Sequence, residues 1–436
     1  MNYSYKQIWV IAYPVMMSVL MEQLINITDA VFLGRVGETE LGASAIAGIY
    51  YLSVYMLGFG FSLGLQVMIA RRNGEQNYKD TGRVFYQGLY MLTGLSVFLF
   101  IVSKLVSPFI LQRVISSGEV YTAVMNYIDW RCFGLLFAFP LLALRSFYVG
   151  ITNTRILSVS AFIMVFANVL LNWLLIFVAG WGISGAAIAS TLSEAISLLI
   201  IVGFTASRVN RKFYGLKPAF DRKIVLQLSR LSVWSMLQSF ITVAPWFIFF
   251  VIIEQNLGKG QLAIANILRS VSTLFFVIAS SFGATTGSLV SNLIGAGKNN
   301  EVMPLCRKMV KFGYMLGIPL IVLVIVFRTE VLSVYTSDRD LIASAILPYM
   351  IMLPNFFIVV PAYVYSNAVM GTGNTRKAFV FQLITIGAYL VYLFFLNALR
   401  DIPLAVYWTA EHLFVILLFV FSFAYMKNGR MSCYKS

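Results

Sequence analysis

The sequence predicts an all-α membrane protein with twelve transmembrane helices, arranged as two parallel-repeat lobes of six helices each. Three observations lead to this fold class. Hydrophobic residues make up 60% of the 436 positions and charged residues only 11%, against about 25% charged residues in an ordinary soluble domain. The apolar residues fall into twelve long stretches, and the second six stretches repeat the pattern of the first six.

Each apolar stretch is close to the roughly 20 residues that a helix needs to cross a bilayer, and the longer ones predict tilted or kinked helices. The first stretch lacks the short apolar core and cleavage site of a signal peptide, so we expect it to remain as the first span. The stretches cover residues 8–33, 46–70, 84–107, 122–149, 156–180, 183–206, 230–253, 262–291, 310–327, 344–370, 378–396 and 404–426.

Basic residues are distributed unevenly between alternate loops. With the N-terminus placed inside, 22 of the 32 Lys and Arg residues lie in inner segments, which predicts that both termini are cytoplasmic. This bias accounts for the net charge of +15 without a nucleic-acid partner. The longest basic segment predicts a cytoplasmic linker over 207–229, between an N-lobe over 1–206 and a C-lobe over 230–436.

A shift of 221 residues aligns the two halves of the chain. It places Pro140 on Pro361, and it places VGITNTR (149–155) on MGTGNTR (370–376). Because each half contains an even number of spans, both halves enter the membrane in the same direction. The repeat therefore predicts two lobes with a cavity between them and transport by alternating access.

The first span carries two acidic residues, which are rare inside a bilayer. Glu22 and Asp29 are seven residues apart, so they share one helical face about 10 Å apart along the axis, with Asn26 between them. A carboxylate within a span usually faces a cavity or the bundle interior and belongs to a functional site. We expect Asp29 to bind a coupling ion, and Glu22 and Asn26 to line a substrate cavity. The alternative is that an acid near a helix end reaches water.

Polar residues of the fifth and sixth spans complete a candidate cation site. Asn168 and Asn172 are four residues apart and share a helical face, and Ser190 and Thr191 lie in the sixth span. With Asp29, these oxygen atoms suit a Na⁺ ion, or a carboxyl that exchanges a proton within a hydrogen-bond network. The alternative is that the asparagines only join helices by hydrogen bonds.

The second half lacks this polar set. The positions equivalent to Asp29 and the two asparagines are Phe250, Tyr389 and Leu393. Glu411 stands at the position of the serine in the sixth span, and His412 follows it.

We expect Glu411 and His412 to form a possible second relay, together with Glu254, although neighbours on a helix point about 100° apart.

Other polar groups within the spans are candidates for the substrate cavity. Arg269 is expected to pair with an acid or to line the cavity, and Asp129 and Arg131 are expected to form an interfacial pair. Aromatic and Met side chains suit a poly-specific site for flat, cationic, apolar molecules. The cavity candidates of this group are Arg145, Gln238, Asn266 and Arg269.

Several function classes lack support in the sequence. His412 is the single histidine, and Cys132, Cys306 and Cys433 have no metal-ligand spacing, so we expect reduced cysteines and no metal beyond a possible Na⁺. We find no nucleophile constellation and no ion-channel filter, which argues against an enzyme or a channel. We expect no cofactor.

The motifs resemble those of the MATE (multidrug and toxic compound extrusion) family, in its prokaryotic branch. The resemblance covers essentially the whole chain. It rests on P-x₁₄-D-x₄-G (Pro14, Asp29, Gly34), ELGASAIA (40–47), the G-x-x-N-T-R loops, NVLLNWLLIF (168–177) and GISGAAIAS (182–190).

The resemblance implies a V-shaped pair of lobes and a monomeric antiporter in the bacterial plasma (inner) membrane. It implies export of cationic drugs in exchange for Na⁺ or H⁺. By position, Asp29, Asn168, Asn172 and Ser190 match the cation site of the family, and Pro14 matches the proline at which the first helix bends.

Two departures from the family pattern affect the expected chemistry. Some members carry an Asp at the position of Asn172, and others carry acids in the seventh and tenth spans, where this chain has Gln238 and no acid. Glu22 is therefore expected to supply the missing charge. The alternative function is a flippase or exporter of lipid-linked or other amphiphilic metabolites, which needs a cavity rich in Arg and Lys.

Overall fold

The computed structural model describes residues 3–115, 117–336, 338–399 and 401–428, and this part of the chain is helical without strands. Cys433 lies outside the described residues, while Cys132 and Cys306 are free and buried. The helices are α1 (Tyr5–Gly34), α2 (Glu38–Gly74), α3 (Tyr78–Val114), α4 (Gly118–Arg131), α5 (Gly134–Gly150), α6 (Arg155–Asn172), α7 (Gly182–Arg208), α8 (Arg222–Ile241), α9 (Ala244–Gly295), α10 (Val302–Val326), α11 (Arg328–Ser333), α12 (Arg339–Met352), α13 (Phe356–Gly371), α14 (Thr375–Ala398), α15 (Leu404–Tyr407) and α16 (Thr409–Lys427).

The membrane spans agree with those expected from hydropathy. Within the described chain, eleven helices are long and apolar enough to cross a bilayer, and the bent pair α4–α5, with an angle of 47°, makes a twelfth span. Gly258 separates the seventh span from the eighth inside α9, because its φ of 79° lies in the left-handed region that favours glycine. The all-α fold class with twelve spans is confirmed.

The internal repeat is visible in the positions of the helices. The helix Arg339–Met352 follows Gly118–Arg131 by 221 residues at both of its ends. In each half a proline-containing helix comes next, with Pro140 in α5 and Pro361 in α13. The two halves therefore share a fourth span made of two successive helices in the predicted register, and the bend of 47° is found in the first half.

The described chain divides into two compact units. The first unit is Trp9–Phe240, and the second is Met1–Ile8 with Ile241–Ser436. The change of unit thus falls after the predicted linker over 207–229, because the linker and α8 pack within the first unit. The Gln87 carboxamide donates to the Ala219 carbonyl at 2.6 Å. A Cβ at Gly64 would lie 2.7 Å from Ser232 Cα, so only glycine permits this approach of α2 to α8.

Helix α5 occupies the interior of the first unit. It packs against α2, α3 and α7. Its side chains join a buried apolar cluster that includes Leu65, Leu135, Phe139 and Phe147. Large apolar side chains on the outer surfaces of α3 and α6, such as Phe166, are exposed, as expected of helices that face lipid. The polar site described next lies between α1, α6 and α7 of this unit.

Candidate functional site

A buried carboxylate near the end of α1 forms the centre of the site. Asp29 is 8% exposed and accepts three hydrogen bonds. The Asn172 amide donates to Asp29 Oδ1 at 2.6 Å, and the Asn168 amide donates to the same oxygen at 3.2 Å. The Ser190 hydroxyl donates to Asp29 Oδ2 at 2.6 Å. One acid therefore connects α1, α6 and α7.

The polar partners also bind one another. Asn168 Nδ2 lies 3.1 Å from Ser190 Oγ, and Asn172 Nδ2 donates to Asn168 Oδ1 at 3.1 Å. Asn172 Oδ1 is buried and makes no hydrogen bond to the described part of the chain. A buried carbonyl oxygen without a donor beside a carboxylate suits a monovalent cation, which would take both oxygens as ligands. No group of three or more His, Cys, Asp or Glu side chains in the described chain could hold another kind of metal.

Small residues bring α7 close enough to α6 for these contacts. A Cβ at Gly185 would lie 2.9 Å from the Leu175 carbonyl oxygen. Leu175 belongs to a π-helical turn, Trp173–Val178, that directly follows α6. Within a bilayer, small residues allow helix backbones to approach and polar side chains to bond across the interface. The motif GISGAAIAS therefore places Ser190 on the site.

Thr191 was expected to join the site, but the structure places it elsewhere. Its hydroxyl donates to the Trp130 carbonyl at 3.3 Å, at the end of α4. Consecutive residues on a helix point about 100° apart, so Ser190 faces α1 and α6 while Thr191 faces α4. The network thus contains four of the five expected residues.

An ion pair that the sequence did not reveal lies next to the site. Arg131 binds Glu194 through two hydrogen bonds, of 2.9 Å from Nη1 to Oε2 and 2.5 Å from Nη2 to Oε1. The Arg131 guanidinium also covers the Tyr51 ring at 3.8 Å. The expectation of an Asp129–Arg131 pair was wrong, since Asp129 instead binds Lys104 at 2.6 Å.

The second acid of α1 is also paired. Glu22 Oε1 accepts from Arg145 Nη1 at 2.8 Å, with side-chain exposures of 35% and 13%. Two of the expected cavity residues are therefore partners, and their charges offset each other. Asn26 is exposed on the same helix, and Pro14 lies buried within α1.

The remaining candidates are dispersed. Gln238 is buried in α8, whereas Asn266 and Glu254 are exposed on α9. The Arg269 guanidinium lies 5.4 Å from the centre of the Phe250 ring. This cation–π contact replaces the expected ion pair, because no acid of the described residues forms a salt bridge with Arg269.

The proposed relay of Glu411 and His412 is not a bonded pair in the structure. His412 Nδ1 lies 3.2 Å from the Trp408 carbonyl oxygen of the preceding turn. Glu411 occupies the first turn of α16. The two side chains therefore have separate surroundings.

Comparison with known proteins identifies relatives of this chain. The family model MatE matches residues 14–174 and again residues 235–395, so both matched ends are 221 residues apart, as in the predicted repeat. The multidrug resistance protein NorM of Aliivibrio fischeri is 24% identical over 348 residues, covering 76% of this chain and 74% of the relative. The multidrug and toxin extrusion protein 1 of Mus musculus is 24% identical over 390 residues, covering 88% of this chain and 67% of the relative.

A solved structure has the same fold. It is described as a multidrug resistance MATE family transporter of the MOP superfamily, and it superposes with a TM-score of 0.90 at 16% sequence identity. The superposition covers 98% of this chain and 96% of the other. At this identity the likeness establishes the arrangement of helices alone.

Proposed function

This chain belongs to the MatE family of transporters, and from that premise we propose that it exports cationic, amphipathic drugs or toxic compounds in exchange for Na⁺ or H⁺. The names of its relatives, multidrug resistance protein and multidrug and toxin extrusion protein, support this class of substrate. Family members are transporters and not enzymes. In this proposal the protein works in the bacterial inner membrane, as a monomer with both termini in the cytoplasm.

The observation that carries the proposal is the buried carboxylate of Asp29 with its three donors. In the absence of a positive partner, a charge inside a bilayer costs several kcal/mol, at about 2.5–3.5 kcal/mol for Asp on insertion scales. The neighbouring Arg131 is already paired with Glu194, so its charge is offset. Asp29 therefore binds a cation, Na⁺ or H⁺, during part of the transport cycle.

Each coupling ion uses this site differently. Na⁺ takes a carboxylate oxygen of Asp29 and the unbonded Asn172 Oδ1 as ligands, with the other amide and the hydroxyl as neighbours. A proton adds to one carboxylate oxygen, after which the carboxyl donates a hydrogen bond instead of accepting one. In both cases the hydrogen bonds to α6 and α7 change, so binding alters how α1 is held.

The paired arginines favour a cationic substrate over an anionic one. Recognition of a lipid-linked pyrophosphate requires Arg or Lys side chains that are available to phosphate. Arg145 is bound to Glu22, and Arg131 is bound to Glu194. Within the Glu22–Arg145 pair the acid is the more accessible member, with 35% of its side chain exposed against 13% for Arg145, which favours a cation. The flippase alternative is therefore less well supported.

The test is efflux of ethidium from vesicles with either a Na⁺ gradient or a pH gradient imposed alone, for wild type and Asp29→Asn. Efflux driven by one gradient and lost in Asp29→Asn supports the proposal and identifies the ion. Thr191→Val is a matched control, since Thr191 lies outside the network. Equal efflux by wild type and Asp29→Asn under both gradients would contradict coupling through Asp29.

A further inference from the structure

The region of the second unit that corresponds to the Asp29 site also contains an acid, but at a different position of the repeat. Under the 221-residue register, which the paired helices and the two family matches share, Tyr389 is equivalent to Asn168 and Glu411 to Ser190. In the first unit those equivalent side chains are in contact, with 3.1 Å between Asn168 Nδ2 and Ser190 Oγ. Phe250 replaces Asp29, so the acid has moved from the first to the sixth helix of the repeat.

The packing of the second unit places Tyr389 against the face of α16 that carries Glu411. Helix α16 packs on α13 and α14. The Tyr389 ring meets the edge of Phe414 with 6.2 Å between ring centres, and Phe414 is three residues after Glu411, on the same helical face. The hydroxyls of Tyr392 and Thr409 lie 3.0 Å apart and fix the start of α16 on α14.

The hydroxyl of Tyr389 needs a partner. Tyr389 is 0% exposed, and the Glu411 carboxyl is the side-chain partner within reach of its hydroxyl, although the two groups are not in regular hydrogen-bond geometry. Glu411 is the acid that acts on it electrostatically, and it also acts on Tyr363 of α13. A buried hydroxyl whose hydrogen bond is poorly formed is unfavourable, so a change at Glu411 that completes this hydrogen bond is favourable.

Among the described residues, no Lys or Arg forms a salt bridge with Glu411. Each of the five salt bridges within the described chain is made by another acid. The groups that face Glu411 from α13 and α14 are the two phenols, Tyr363 and Tyr389, and His412 is directed to the Trp408 carbonyl. A carboxylate inside a span without a cationic partner is a site for a positive ion.

We propose that Glu411 and Tyr389 form a second proton-binding site, in the second unit. The proton passes from water to a carboxylate oxygen of Glu411 and returns to water, and no other bond forms or breaks. Ionised Glu411 accepts a hydrogen bond from the Tyr389 hydroxyl, and neutral Glu411 donates one to the phenol oxygen. The site lacks the two amides of the Asp29 site, so it offers too few oxygen ligands for Na⁺. Its part in transport rests on the proposed antiport, but proton binding does not.

The experiment is infrared difference spectroscopy of the purified protein in bilayers as the pH is lowered. We expect a carboxylic-acid C=O band whose intensity corresponds to one carboxyl per chain. Glu411→Gln is expected to remove this band. Glu254→Gln, which changes an exposed acid of the same unit, keeps the band. Tyr389→Phe moves the band to higher frequency, because the acid loses its phenol partner.

Each other outcome contradicts a stated part of the proposal. A spectrum unchanged by Glu411→Gln rules out proton binding at Glu411. A band unaffected by Tyr389→Phe rules out Tyr389 as its partner, and this variant still decides if Glu411→Gln does not fold. Removal of the band by NaCl at constant pH identifies a Na⁺ site instead. The band is expected to persist in Asp29→Asn. Loss of ion-coupled efflux in Asp29→Asn can therefore be distinguished from loss of proton binding at Glu411.

Discussion

Ser190 and Glu194 lie one turn apart on α7 and bind two different parts of the first unit. Ser190 donates to Asp29 Oδ2 at 2.6 Å, and Glu194 accepts hydrogen bonds from both terminal nitrogens, Nη1 and Nη2, of Arg131. Arg131 is the last residue of α4, directly before the bend of the fourth span. The rigid turn of α7 therefore connects the cation site to this bend.

The Ser190 hydroxyl is predicted to contribute to binding of the coupling ion. Ser190→Ala removes a hydrogen bond to a charged group, worth about 1.5–3 kcal/mol, so the ion concentration for half-maximal efflux changes by about 10- to 100-fold. Ion-dependence curves of ethidium efflux measure this change. Thr191→Val is the control, because the Thr191 hydroxyl bonds to the Trp130 carbonyl. Equal shifts in both variants would show that the effect is a general loss of helix packing.

Asn172→Asp is predicted to extend proton-driven efflux to higher pH. Asn172 Nδ2 lies 2.6 Å from Asp29 Oδ1, and two carboxylates at that distance cannot both be ionised without a large repulsion. The pair therefore retains one proton at pH values at which a single carboxyl loses it. The pH profile of efflux measures the change, and Asn172→Leu, which introduces the residue of the second unit, is expected to abolish coupling. A profile identical to wild type in Asn172→Asp would show that these groups do not share a proton.

The sequence could predict the spans and the Asp29 site because both depend on local patterns. Hydropathy defines each span, and the four-residue spacing of Asn168 and Asn172 places them on one face of α6. Partners across helices depend on which helices are neighbours and how each is rotated. The sequence therefore did not reveal that Arg131 binds Glu194. A difference of 100° of helix rotation separates Ser190 from Thr191, and hydropathy cannot resolve that difference.

We predict that the protein tolerates replacement of both Arg131 and Glu194 by apolar residues, but that replacement of only one of them lowers its stability. The equivalent residues of the second unit are Met352 and Val415, so the repeat itself provides an apolar solution. Arg131→Met alone leaves Glu194 buried and unpaired, at a cost of about 3–5 kcal/mol, while the double change to Met and Val regains most of that loss. Thermal unfolding of the purified variants measures it. A double variant less stable than both single variants would contradict this prediction.

Substitution of Glu22 and substitution of Arg145 are predicted to change the affinity for cationic substrates in opposite directions. The two side chains meet at 2.8 Å, and Glu22 keeps 35% of its surface exposed. Arg145→Gln leaves Glu22 without its partner, so cationic dyes bind more tightly and KM falls, whereas Glu22→Gln removes the attraction and raises KM. Transport of ethidium against dye concentration measures both, with an uncharged dye as control, whose KM should not change. Parallel changes of KM for the charged and uncharged dyes would show that the pair acts on the fold of α1 and α5 rather than on charge. Opposite changes for ethidium alone would identify Glu22 as the acid that a cationic substrate meets.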